Sequence, residues 1–229
     1  SKECADGVKK SFERWPSAEI AYTDNVPFGE QNLSVQVSKM KDAGVELVLT
    51  CMDTNGSITL AREMNRQEFR VPQYLQNGYD FNMLENFGDL FEGSYVLSMF
   101  IPFEAPNPPP GLQKYFEWID KTGGTRGELS LSGWLNADLL YRGLVAAGPE
   151  FTQQKVVDAI NQMTDWTADG IMPPINWTYE HVRDRPVSCG VISKIENKTF
   201  VPQFGTATEP RICLDNDSAE LPDDPRTAP

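Results

Sequence analysis

Histidine is nearly absent from this chain: there is one, His181, in a charged loop between Glu180 and Arg183. A Ser–His–Asp site would have to use it, and no G-x-S-x-G elbow is present to carry the serine. Nor does a GxGxxG or P-loop glycine pattern occur. Acidic side chains are plentiful, but nothing singles out a catalytic pair of them. The four cysteines, Cys4, Cys51, Cys189 and Cys213, contain no CxxC and lie too far apart for zinc-ligand spacing. No catalytic residue, metal or cofactor is therefore expected. Basic residues are also in the minority, 20 against 33 acidic, for a net charge of −13. Such a surface repels phosphate backbones and argues against nucleic acid as a partner. No stretch approaches about 18 consecutive apolar residues, the length a membrane-spanning helix needs.

What is present is a regular alternation of two periodicities. Ala5, Val8, Phe12 and Trp15 recur at helical spacing and stop at Pro16. Ile20–Tyr22 reads as a short strand. Leu33, Val37 and Met40 mark a second helix ended by Gly44, and Val45–Cys51 reads as a buried strand. Asn55 or Ser57 can cap the next helix, which shows Ile58, Ala61 and Met64 on one face. Strand Gln73–Gln76, a short helix near Met83–Phe87 and strand Ser94–Met99 follow. This βα alternation predicts an α/β fold, a parallel sheet with helices on both faces.

The prolines at 102, 106 and 108–110 form a connector. Three helices come after it: Leu112–Lys121, Leu131–Ala147, which Gly148-Pro149 ends, and a third capped by Thr152 with Val156, Ile160 and Met163 aligned. Strands are expected at Ile175–Tyr179, Val187–Ile192 and Phe200–Gln203, the last two joined by an Asn197-Lys198 turn. From Leu214 onward acids and prolines predominate, and the tail reads as disordered.

In open α/β sheets, ligands lie beyond the carboxyl ends of the strands. That rule selects three loops: the one after Tyr22 and Thr23, the one holding Asp53, Thr54 and Asn55, and the one holding Asn77 and Tyr79. They supply carboxylate, hydroxyl, amide and aromatic groups for a small polar ligand, and the helix starting near Asn55 offers amide N–H groups to an anion. The same residue types also favour caps and turns.

The order and spacing of several segments resemble the C-terminal two-thirds of the type I periplasmic binding proteins, the branched-chain amino-acid-binding type that serves ABC importers. The matching stretches are ADGVKKSFE, SVQVSKMKDAGVELVLT, LAREMNRQEFRVPQYLQNGYD, FGDLFEGSYVLSMF and GWLNADLLYRGLVAAG, within about residues 5–205. The resemblance implies two lobes with a ligand closed between them. Residues 1–102 and 170–205 would form lobe two, and 103–169 the helices of a truncated lobe one, followed by the tail of 206–229. The chain, which opens on Ser1-Lys2-Glu3-Cys4 as a mature or trimmed fragment would, is then expected to lack an N-terminal lobe-one segment. Without it, apolar helix faces would stand exposed.

The family's ligand contacts fall at about the same loops. An acid often follows the third strand there to hold a ligand ammonium; here that position is Asn77, leaving Asp53 to carry the charge. The resemblance implies a secreted, extracytoplasmic, non-enzymatic solute-binding protein, periplasmic or a cell-surface lipoprotein, partnered by a membrane permease. An extracellular sensor domain on the same fold is the alternative, with a hydrolase behind it. An even cysteine count suits two disulfides in an oxidising compartment. Of the three connectivities, Cys4–Cys51 and Cys189–Cys213 are preferred: the latter pair is the nearer in sequence, and Cys4 and Cys51 both fall on the cleft side of a parallel sheet.

Overall fold

Where apolar side chains recur every third or fourth residue this chain is helical, and where β-branched and aromatic residues run together between them it forms short strands. A computed structural model describes residues 2–14, 16–179 and 189–213. The chain divides into two units, Ser1–Leu97 with Ser193–Val201, and Ser98–Ile192 with Pro202–Pro229.

The first unit holds α1 (Lys2–Arg14), α2 (Ser34–Asp42), β1 (Val48–Thr50), α3 (Thr54–Arg66), β2 (Gln73–Leu75), α4 (Phe81–Phe87) and most of β3 (Tyr95–Ser98). To these it adds the second half of β4 (Cys189–Glu196) and nearly all of β5 (Thr199–Pro202). The strand order is β1-β2-β3-β4-β5. β1, β2 and β3 are parallel, with Val48 opposite Gln73 and Leu75 opposite Val96. This is the α/β architecture, built on a parallel sheet, that the alternation predicts.

The core of the unit follows from the helix spacing. Leu33, Val37 and Met40 pack with Val48, Leu60, Met64 and Phe69, and each such side chain contributes roughly 1.5–3 kcal/mol by leaving water. β1 ends the sheet path. Val48 N–H donates to the Pro72 carbonyl at 3.0 Å; in a parallel ladder the neighbouring residue, Leu49, then turns its N–H and C=O away from β2. At the other side, Asn197 (φ 51°) and Lys198 (φ 58°) both adopt the left-handed backbone that a two-residue hairpin turn requires, joining β4 to β5 as expected.

Two expected strands do not form. Ile20–Tyr22 lies in a stretch, 16–33, with no regular structure, and Ile20 is 42% exposed. A strand exists only with a neighbour to bond to, and none of the described strands pairs with this one. Ile175 makes one isolated bridge with Trp166, and Trp177–Tyr179 is a 3₁₀ turn. The Asn176 side chain accepts from both the amide (3.0 Å) and the hydroxyl (2.6 Å) of Thr178, curling the chain out of extension. β1 is also shorter than expected. The tail beyond 213, residues 187–188 of the expected strand 187–192, and His181 lie outside the described residues.

The second unit contains α5 (Pro110–Lys121), α6 (Glu128–Ala147), α7 (Gln153–Ile160) and the start of β4, antiparallel to β6 (Ile212–Cys213). Pro110 opens α5 where its missing N–H costs nothing. Thr152 caps α7, accepting from the Lys155 amide at 3.2 Å. α6 and α7 approach closely at Gly143, where an added Cβ would sit 2.7 Å from Ile160 Cγ1 and 3.1 Å from Val156 Cγ1. Asp138 on α6 accepts from Arg142 Nε (2.7 Å) and Trp166 Nε1 (3.0 Å), and Arg142 also reaches Asp169 at 2.8 Å. α6 nevertheless leaves Leu129, Leu140, Tyr141 and Val145 exposed, Leu129 at 85%.

Candidate functional site

The carboxyl ends of β1 and β2 turn directly into helices, so the loops there are short and their side chains are fixed by capping. Asp53 is the N-cap of α3: its extended backbone (φ −72°, ψ 172°) lets Oδ1 accept from the Gly56 amide at 2.9 Å, while its carbonyl accepts from Ser57. The cap is thus Asp53 and not the expected Asn55 or Ser57, because the helix begins at Thr54. Asp53 stays exposed, and among the described residues its Oδ2 has no hydrogen-bond partner. Thr54 and Asn55 occupy the first turn, where backbone N–H groups have no intrahelical acceptor. Asn55 is exposed, and its carbonyl accepts from Thr59 Oγ1.

The second loop is held from both sides. Thr54 Oγ1 donates to the Asn77 carbonyl at 3.4 Å, bringing the two loops together. Gly78 follows because the chain folds back onto its own strand: a Cβ there would lie 2.6 Å from Leu75 Cβ and 3.2 Å from Val96 Cγ2. Asp80 caps α4 by accepting from Met83 N at 3.0 Å. The Asn77 side chain remains exposed.

Tyr79 is placed differently from the other four. It is 0% exposed, stacked on Phe200 at 4.4 Å and edge-on to Phe81 at 5.6 Å. The ring is a core side chain in this structure and not an open platform, because the β4–β5 hairpin brings Phe200 over it. Asp53, Thr54, Asn55 and Asn77 therefore cluster at the strand ends, with Tyr79 beneath. The third expected loop, after Tyr22, carries its own pair: Tyr22 OH donates to Asp24 Oδ2 at 2.8 Å. Burial, then this bond and the Asp24 charge, push the Tyr22 hydroxyl up to about 12. The same bond is the main cause holding the Asp24 carboxyl below its usual range.

Cys4 of α1 is bonded to Cys51, and Cys189 to Cys213, whose residues also face each other in the β4–β6 register. The Cys4 sulfur lies 3.1 Å from Gln76 Oε1. Gln76 was not singled out by sequence reasoning, which placed it within the strand; its signal is its position just before Asn77. Among the described residues no group of His, Cys, Asp and Glu is arranged to hold a metal ion, and no helix is long and apolar enough to cross a membrane.

The sequence pattern of the family described as "Periplasmic binding protein" matches residues 1–199. No curated protein sequence matches the chain. Solved structures do. A leucine-, isoleucine-, valine-, threonine- and alanine-binding protein from Brucella ovis, in its closed conformation, is 13% identical with a TM-score of 0.70, covering 95% of this chain and 55% of its own. An ABC-transporter solute-binding protein from R. palustris in complex with 4-hydroxybenzoate is 15% identical with a TM-score of 0.69, covering 88% and 55%. A branched-chain amino acid ABC transporter protein from Thermus thermophilus with bound valine is 19% identical with a TM-score of 0.64, covering 78% and 50%. At these identities the likeness is one of fold, and the chain spans about half the length of the solved structures it matches.

Proposed function

The chain belongs to the periplasmic binding protein family, and on that premise we propose that it is part of the extracytoplasmic solute-binding component of an ABC importer, taking a small carboxylate-bearing ligand. The observation that carries this reading is the cluster of Asp53, Thr54, Asn55 and Asn77 at the carboxyl ends of two parallel strands. The first-turn amides of α3 and the Thr54 hydroxyl suit a carboxylate. Asp53 Oδ2 and the Asn77 amide suit an ammonium or hydroxyl elsewhere on the same molecule. Valine, benzoate and 4-hydroxybenzoate, named in related structures, share a carboxylate and differ in what else they offer.

We take residues 1–102 and 170–205 as lobe two and 103–169 as lobe one, a division by family resemblance that differs from the two contact units in placing 98–102, 170–192 and 202–205 with lobe two, with a further N-terminal segment completing lobe one and a membrane permease receiving the solute. The family is one of solute-binding proteins, and no enzymatic role is assigned. The chain is assigned to the extracytoplasmic side, as a periplasmic protein or a cell-surface lipoprotein.

The test is a thermal-shift panel on the full-length protein with L-valine, L-leucine, benzoate, 4-hydroxybenzoate and their primary amides. A ligand at a hundredfold excess over its Kd stabilises by about 2.7 kcal/mol, which raises Tm by roughly 3 °C for a protein about twice the length of this chain. At least one acid should do so and its amide should not. A flat panel, or acid and amide acting alike, would overturn the reading.

A further inference from the structure

Three chain segments meet at one covalent bridge beside the proposed ligand loops. Cys51 is the first residue after β1 and stands two residues before the Asp53 cap. Its partner, Cys4, sits in the first turn of α1 with a Cα–Cα distance of 6.0 Å. The Cys4 sulfur then lies 3.1 Å from Gln76 Oε1, the residue between the end of β2 and Asn77. An oxidised sulfur has no proton to donate, so this is close packing of an amide on the bridge. The bridge touches both loops, and the hydrogen bond from Thr54 Oγ1 to the Asn77 carbonyl that joins them is long at 3.4 Å.

α1 itself adds to the case. Its described side chains are all exposed or half-buried, and the chain that follows, 16–33, has no regular structure. Packing alone therefore does little to fix its position, and the bridge does more. The bridge, half-buried at both cysteines, joins this helix to the two candidate ligand loops.

We propose that the Cys4–Cys51 disulfide is a positioning element for ligand binding: it holds the Asp53–Asn55 and Gln76–Asn77 loops in the spacing a ligand requires, with Gln76 as its contact on the second loop. This rests on the binding role proposed above. A site whose supporting groups are loose loses affinity because the ligand must order them as it binds.

The experiment measures Kd for L-valine, L-leucine, benzoate and 4-hydroxybenzoate by titration calorimetry on the full-length protein, well below the Tm of every variant. Wild type is compared with Cys4→Ser/Cys51→Ser, with Cys189→Ser/Cys213→Ser, and with Gln76→Ala. The first variant should bind at least about tenfold more weakly. Loss of the other bridge should lower Tm and leave Kd unchanged, which separates positioning from general stabilisation. Gln76→Ala keeps both bridges, so it folds even if the first variant does not; it should weaken binding about threefold. Wild-type affinity in Cys4→Ser/Cys51→Ser, or in Gln76→Ala should the double variant not fold, overturns this inference alone. No binding of any of the four acids by wild type overturns the binding role and this inference with it.

Discussion

Asp53 uses one carboxylate for two purposes, and a pair of substitutions can tell them apart. Oδ1 caps α3 through the Gly56 amide, and Oδ2, with no hydrogen-bond partner among the described residues, is left for a ligand. Asparagine caps about as well as aspartate, whereas alanine costs about 1 kcal/mol. Urea denaturation should therefore find Asp53→Asn close to wild type and Asp53→Ala destabilised by about 1 kcal/mol, while both lose affinity for any ligand that carries an ammonium. The sequence made this residue visible because a polar residue after an apolar strand is conspicuous. It did not show which residue would cap, since the choice among Asp53, Asn55 and Ser57 turns on where the first helical hydrogen bond closes. Tyr79 was legible as an aromatic in a loop and illegible as a core ring. Its stacking partner, Phe200, lies in a hairpin far along the chain, and no local pattern reports that contact.

At the scale of elements, helices were legible throughout, because apolar spacing carries its own evidence. Strands were legible only where a neighbour existed. Val45–Cys51 contracted to three bonded residues, Ile20–Tyr22 carried strand-like residues without a partner strand among those described, and Ile175–Tyr179 kept only the single Ile175–Trp166 bridge. The β4–β6 pairing, joined by Cys189–Cys213 across 24 residues, has only two residues in its shorter strand and depends on that bridge. Closing a loop of this length in the unfolded chain is worth about 3.5 kcal/mol on the chain-entropy account. Replacing both cysteines by serine should lower the unfolding free energy by about 3 kcal/mol in urea titrations, with the loss centred on that end of β4.

Over the whole molecule, the fold class was readable because βα alternation leaves few arrangements open. Ligand identity was not, because Asp, Thr and Asn at strand ends are equally the residues of caps and turns. Two large-scale features pull against each other: a net charge of −13 and the apolar surface of Leu129, Leu140, Tyr141 and Val145 on α6. Repulsion keeps copies apart at low salt, and its range shrinks to about 8 Å at physiological ionic strength. Light scattering of this chain should therefore show a mass that rises with added salt, and Leu140→Lys with Val145→Glu should suppress the rise. An unchanged mass across salt would count against that surface being sticky. The outer rim of β1 adds a hazard of another kind. Leu49 presents an amide and a carbonyl to whatever lies alongside, and a backbone ladder reads no side chains. Any extended polypeptide arriving there, from this molecule or the next, can dock like a missing stave in a cask, so that correct assembly becomes a race between neighbours, decided by which strand reaches the gap first.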